Sequence, residues 1–192
     1  MCVTEQQKLV SEATLGEMKE QFFIVYPQLV ERFNRGAPTT VNYVIGPTDY
    51  AAFVIGNTVT YQAMWFSQNP NDIGTVAHEL MHVVQSYVMG PSWITEGIAD
   101  YARYYYGAKN AAARWALHVP NEGEAYTDGY KTTARFLIWI EQRYHIDFVE
   151  ALDISMREGS YTPSIWTSMT GKAVSTLWNE YLADPVQGDI AP

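Results

Sequence analysis

Two histidines and a glutamate fall together in the heptapeptide Val76-Ala77-His78-Glu79-Leu80-Met81-His82. On a helix, residues four apart project from the same face, so His78 and His82 present their imidazoles to one point. Two neutral imidazoles suit a tetrahedral Zn²⁺, which takes nitrogen ligands at about 2.0–2.1 Å. Glu79, next to the first ligand, would lie beside the open position of such a metal, where a carboxylate can take a proton from water. That is hydrolytic chemistry, most often directed at peptide bonds. The same spacing also arises by chance, and Glu79 and His82 are then only a polar pair on a helix face.

A catalytic zinc needs a third protein ligand. The next acidic residue after His82 is Glu96, in Trp93-Ile94-Thr95-Glu96-Gly97-Ile98-Ala99-Asp100-Tyr101. Gly90-Pro91 predicts a turn through which the following helix folds back and brings Glu96 to the metal. Asp100 lies one helical turn beyond Glu96, placed to accept the second ring N–H of a ligating histidine. Each has a plainer alternative. Glu96 can be a helix N-terminal carboxylate favoured by the dipole, and Asp100 can pair with Arg103 on its own helix. Gln85, one turn past His82, either supports the metal site or is a polar residue of helix packing. His118 and His145 fall outside ligand spacing and read as structural or exposed. Trp93 reads as a core anchor between the two metal-bearing helices.

A metal-binding H-E-x-x-H helix followed by E-x-x-x-D resembles the gluzincin group of zinc metallopeptidases. The longer run from His78-Glu79-Leu80-Met81-His82-Val83-Val84-Gln85 through Pro91-Ser92-Trp93-Ile94-Thr95-Glu96-Gly97-Ile98-Ala99-Asp100-Tyr101-Ala102-Arg103 is similar to a narrower group, the basic secretory protein family of zinc peptidases. The resemblance continues through Gly129-Tyr130-Lys131-Thr132-Thr133-Ala134-Arg135-Phe136-Leu137 and ends near Leu177-Trp178-Asn179-Glu180-Tyr181, with its specificity concentrated in residues 78–103. It implies a zincin-like fold, Zn²⁺ held by His78, His82 and Glu96, Glu79 as general base, a peptide or protein substrate, and a secreted or cell-envelope location. It also implies a Tyr or His that stabilises the oxyanion. Candidates are Tyr101, Tyr104, Tyr105, Tyr106, Tyr126 and Tyr130, and Tyr130 is favoured because it opens a helix within the family-like stretch. Two departures stand out: this chain is acidic, and the gap from His82 to Glu96 is shorter than in many gluzincins. A different class of function stays open, a catalytically silent, zinc-stabilised module that binds peptide or glycan in an aromatic cleft. The intact Glu79 argues against it.

The elements that must position these residues follow from periodicity and punctuation. Residues 11–34 read as an amphipathic helix interrupted near Pro27. β-rich runs follow at 41–45, 51–55 and 58–66; the resemblance to zinc peptidases implies that the last is an edge strand that pairs with extended substrate. Asn69-Pro70 and Gly90-Pro91 bracket one helix of about five turns carrying the histidine pair. Further helices are expected at 94–106, 109–117, 128–144, 146–157, 163–169 and 172–183. A small N-terminal sheet followed by a helical remainder is an α+β layout.

With 192 residues and 47% hydrophobic content, the chain is long enough for a buried core and reads as a single zincin-like domain over 1–192. Its fourteen Tyr and six Trp favour an aromatic surface or cleft. A net charge of −9 argues against nucleic acid and anionic membranes as main partners. No apolar run reaches the ~20 residues needed to span a bilayer, and no signal peptide is visible. The single cysteine excludes an internal disulfide. Cys2 reads as an ordinary terminal thiol, with the remnant of a lipid-anchored terminus as the alternative.

Overall fold

The computed structural model describes residues 7–185. Cys2, and with it the question of a lipid anchor, lies outside the described residues. The fold is α+β, with eight α-helices and one three-stranded sheet among the described residues. The chain divides into two compact units, one of residues 1–86 with 102–116 and the other of 87–101 with 117–192.

The first unit opens with α1 (Glu12–Arg32), capped by Ser11, whose hydroxyl accepts the N–H of Thr14 at 3.1 Å. The helix runs through Pro27 without interruption. Pro27 sits on the solvent side, as does Phe23, whose carbonyl loses its partner, so water can satisfy it. Meanwhile Met18, Val25 and Leu29 stay fully buried on the opposite face. Packing of that stripe outweighs the lost hydrogen bond.

Three short strands follow: β1 (Asn42–Gly46), β2 (Ala52–Ile55) and β3 (Thr58–Gln62). Their order is β1-β3-β2, with β1 parallel and β2 antiparallel to β3. β2 and β3 form a hairpin across Gly56-Asn57, where Gly56 takes a φ of 60°. The expected strand 58–66 is therefore corrected twice. It stops at Gln62, and it is the central strand, so β2 rather than β3 is the antiparallel edge. Beyond Gln62 the chain turns into α2 (Ala63–Gln68), because Ala63 and Phe66, three apart on one helix face, are both buried.

The expected five-turn helix is also shorter. Asn69 does not begin it; its backbone N–H and side-chain amide both donate to the Trp65 carbonyl and close α2 instead. A 3-10 turn at Asp72–Gly74 leads into α3 (Thr75–Gln85), which ends where Ser86 enters the left-handed region at φ 44°. α3 packs on α1 and on β2. No helix forms at 109–117. Lys109 and Arg114 adopt positive φ there, and Asn110 and Trp115 are drawn to Arg103. Those tertiary contacts override the helix preference of the alanine run.

In the second unit the helices match expectation to within two residues at each end. They are α4 (Ser92–Tyr106, whose last turn belongs to the first unit), α5 (Tyr130–Tyr144), α6 (Phe148–Arg157), α7 (Ser164–Thr170) and α8 (Val174–Ala183). Their core is aromatic, with Phe136 packed among Trp139, Trp166, Trp178 and Tyr181. Trp93 belongs to this cluster, stacked on Trp166 and edge-on to Tyr126. Its ring partners lie in this unit rather than on α3.

Candidate functional site

α3 is buried almost all round, and its polar side chains are gathered at specific points. His78 and His82, one turn apart, face each other with Nε2 atoms 3.1 Å apart and rings nearly perpendicular at 83°. Gln85 lies a further turn on and is 2% exposed; its Oε1 stands 2.8 Å from Nδ1 of His82. Glu79 is 5% exposed beside His78. Behind it, burial pushes the hydroxyls of Tyr43 and Tyr61 up, and the negative charge of Glu79 pushes both the same way.

The N-terminal end of α3 is fixed by a different cluster. The guanidinium of Arg103 donates to Thr75 Oγ1 at 2.9 Å and to Asp72 Oδ1 at 2.5 Å, while its Nε donates to Asn110 Oδ1 at 3.3 Å. It also lies 4.5 Å from the Trp115 ring centre. Asp72 takes a further hydrogen bond from the Trp65 indole at 2.8 Å. Gly74 lets this cluster close, since a Cβ there would stand 2.1 Å from Asn110 Oδ1. Arg103, the alternative partner for Asp100, is engaged with Asp72, Thr75 and Asn110.

Glu96 lies in the second turn of α4. Gly97 brings this stretch against α5, where a Cβ would meet the Thr133 side chain. Gly129, at φ 78°, lies beside Glu96 and Trp93: a Cβ on it would be 3.5 Å from Glu96 Cβ. The next residue, Tyr130, starts α5 with a φ of 46° and is 53% exposed. A left-handed backbone at a bulky non-glycine residue costs about 1–3 kcal/mol and is held only where its surroundings impose it. Asp100, one turn past Glu96, is 4% exposed.

One ligand atom each from His78, His82 and Glu96 lies within 4.8 Å of the others. Two imidazole nitrogens and a carboxylate oxygen could hold a metal ion, and this donor set fits a divalent metal that keeps a further position open. His118 and His145 stand apart from the group. His118 pairs with Glu124 at 3.1 Å, and His145 caps the exposed end of α5.

Of the surroundings, Gln85 had two readings in the sequence, support of the site or helix packing, and its Oε1 lies against His82; the Arg103 cluster was not anticipated. Gln85 stood three residues from His82, so its spacing already carried the signal for a shared helix face. The Arg103 cluster joins positions 28 and 31 residues apart in sequence, and nothing local marks such a pairing. No described helix is long and apolar enough to cross a membrane.

The family model described as "Peptidase of plants and bacteria", that of the basic secretory protein family, matches residues 28–181. The chain belongs to this family. Neither the curated proteins nor the solved structures provide a match.

Proposed function

We propose that this peptidase-family member is a zinc metalloendopeptidase, with His78, His82 and Glu96 as the metal ligands and Glu79 as general base. The convergence of those three donor side chains within 4.8 Å carries the proposal. Zinc, when bound, acts as a Lewis acid toward the scissile carbonyl and makes water a competent nucleophile near neutral pH. Every other role falls to the chain itself. Glu79, held on a rigid buried helix, takes a proton from the attacking water and delivers it to the leaving amine. Tyr130 donates its hydroxyl hydrogen bond to the developing oxyanion. The closeness of Gly129 to Glu96, where an added Cβ would stand 3.5 Å from Glu96 Cβ, the exposure of Tyr130 and its strained φ support that choice.

Asp100 serves as acceptor for the outer ring N–H of a ligating histidine; with Nδ1 of His82 facing Gln85, that histidine is His78. β2, the antiparallel edge strand packed on α3, pairs with the main chain of an extended substrate. The family match spans residues of both compact units, which supports treating 1–192 as one catalytic domain. Family membership also supports a secreted or cell-envelope location, which fractionation of producing cells tests.

The decisive assay is cleavage of an unstructured protein. Activity should vanish with a chelator and return with stoichiometric zinc, and Glu79→Gln should bind zinc without turnover. Zinc binding with no cleavage of any peptide would instead favour the silent binding module.

A further inference from the structure

We infer that Gln85 is a positioning residue that sets the tautomer of His82 and so prepares its Nε2 for the metal. The inference rests on the zinc assignment above. An amide oxygen can only accept a hydrogen bond, so Gln85 Oε1, 2.8 Å from Nδ1 of His82, fixes the ring proton on Nδ1. A neutral imidazole carries one ring proton. Nε2 therefore keeps its lone pair, and Nε2 is the atom that faces His78 Nε2 at 3.1 Å. A histidine that ligates through one nitrogen needs the other to donate to a fixed acceptor, or it divides its population between two tautomers and several ring angles.

The acceptor here is built into the same helix. Gln85 follows His82 by three residues, is 2% exposed, and is the last residue of α3 before Ser86 turns left-handed. The helix thus runs just far enough to include it. An amide in place of the usual carboxylate also has a chemical consequence: it orients the ring without adding a third negative charge beside Glu79 and Glu96.

Three forms of the protein test this: wild type, Gln85→Leu, which keeps the volume but removes the acceptor, and Gln85→Glu, which restores one. Zinc affinity is read by competition with a chromogenic chelator, and the His82 tautomer of the metal-free protein by long-range ¹H–¹⁵N correlation spectra. We expect metal-free wild type to hold the proton on Nδ1 of His82. Gln85→Leu should bind zinc 10–100-fold more weakly, and Gln85→Glu should recover affinity to within a few-fold of wild type. A proton on Nε2 in the metal-free wild type, or wild-type affinity in a folded Gln85→Leu, overturns the inference. Because the tautomer is read without metal, the inference stands or falls even if wild type binds no zinc, a result that would overturn the metal assignment alone.

Discussion

At the first turn of α3, Arg103 reaches Thr75, Asp72 and Asn110 and lies against Trp115. At its last turns, His82 is held by Gln85 and faces His78 across 3.1 Å. Both clusters are polar groups inside an apolar helix packing, yet they are organised oppositely. Around Arg103 all three guanidinium nitrogens donate to acceptors, Asn110, Thr75 and Asp72, within the cluster itself. Around the histidines, one ligand atom each from His78, His82 and Glu96 lies within 4.8 Å of the others, a donor set that could hold a metal ion. A buried polar cluster that is complete anchors a fold; one whose acceptors converge marks the place where something else is meant to bind.

If that contrast holds, Glu79→Gln should give the largest functional effect. Turnover should fall by about 10²–10⁴-fold with folding and zinc content intact, measured by steady-state cleavage and metal analysis. Arg103→Ala should give the largest stability effect. Removing one partner of an ion pair whose side chains are 9% and 12% exposed should cost about 3–5 kcal/mol in denaturant unfolding. Should Arg103→Ala instead abolish activity in a protein of undiminished stability, the closed cluster would be part of the chemistry and the comparison would fail. Tyr130→Phe sharpens the reactive side: kcat should drop about 10²–10³-fold with little change in stability.

Asp153 supplies a control outside both clusters. It is fully buried, accepts from Tyr87 at 3.0 Å and pairs with Arg157 at 2.7 Å, yet burial raises its pKa from 3.8 to about 6. A folded pKa above the unfolded one means this contribution to stability is present below pH ~4 and lost as the pH rises through about 6. A rise of that size corresponds to roughly 3 kcal/mol. Wild type should show that decline in unfolding free energy across the window, and Asp153→Asn should not. The smallest effect is expected at Gly74→Ala, about 1–3 kcal/mol, since the new methyl must displace the Asn110 side chain rather than backbone.

The histidine cluster was more legible in sequence than the Arg103 cluster, and the reason is distance along the chain. His78, Glu79 and His82 share one helix, so periodicity alone aligns them, and the turn at Gly90-Pro91 leads to Glu96 in the helix that follows. Helix positions in the second unit were readable from Pro and Gly punctuation. The errors occurred where distant partners decide. Locally, Arg103 offered only the alternative of pairing with Asp100, and nothing in its own segment pointed to Asp72 and Thr75 far upstream. Asn110 and Trp115 broke an expected helix for the same reason. The strand 58–66 looked uniformly β-rich, and only the burial of Ala63 and Phe66 turned its second half into α2. Strand order, which moved the edge from β3 to β2, has no local signature at all.

That edge sets a length scale. β2 is four residues long, about 13 Å of free backbone at ~3.3 Å per residue. An extended polypeptide laid along it gains main-chain hydrogen bonds over about four positions, with alternate side chains turned toward and away from the sheet. If β2 is the substrate rail proposed above, so short a stretch grips any one sequence lightly and lets a cut chain go. An endopeptidase built on it would clip loose, already unfolded stretches one bond at a time, and choice among them would fall to the side chains at its two ends.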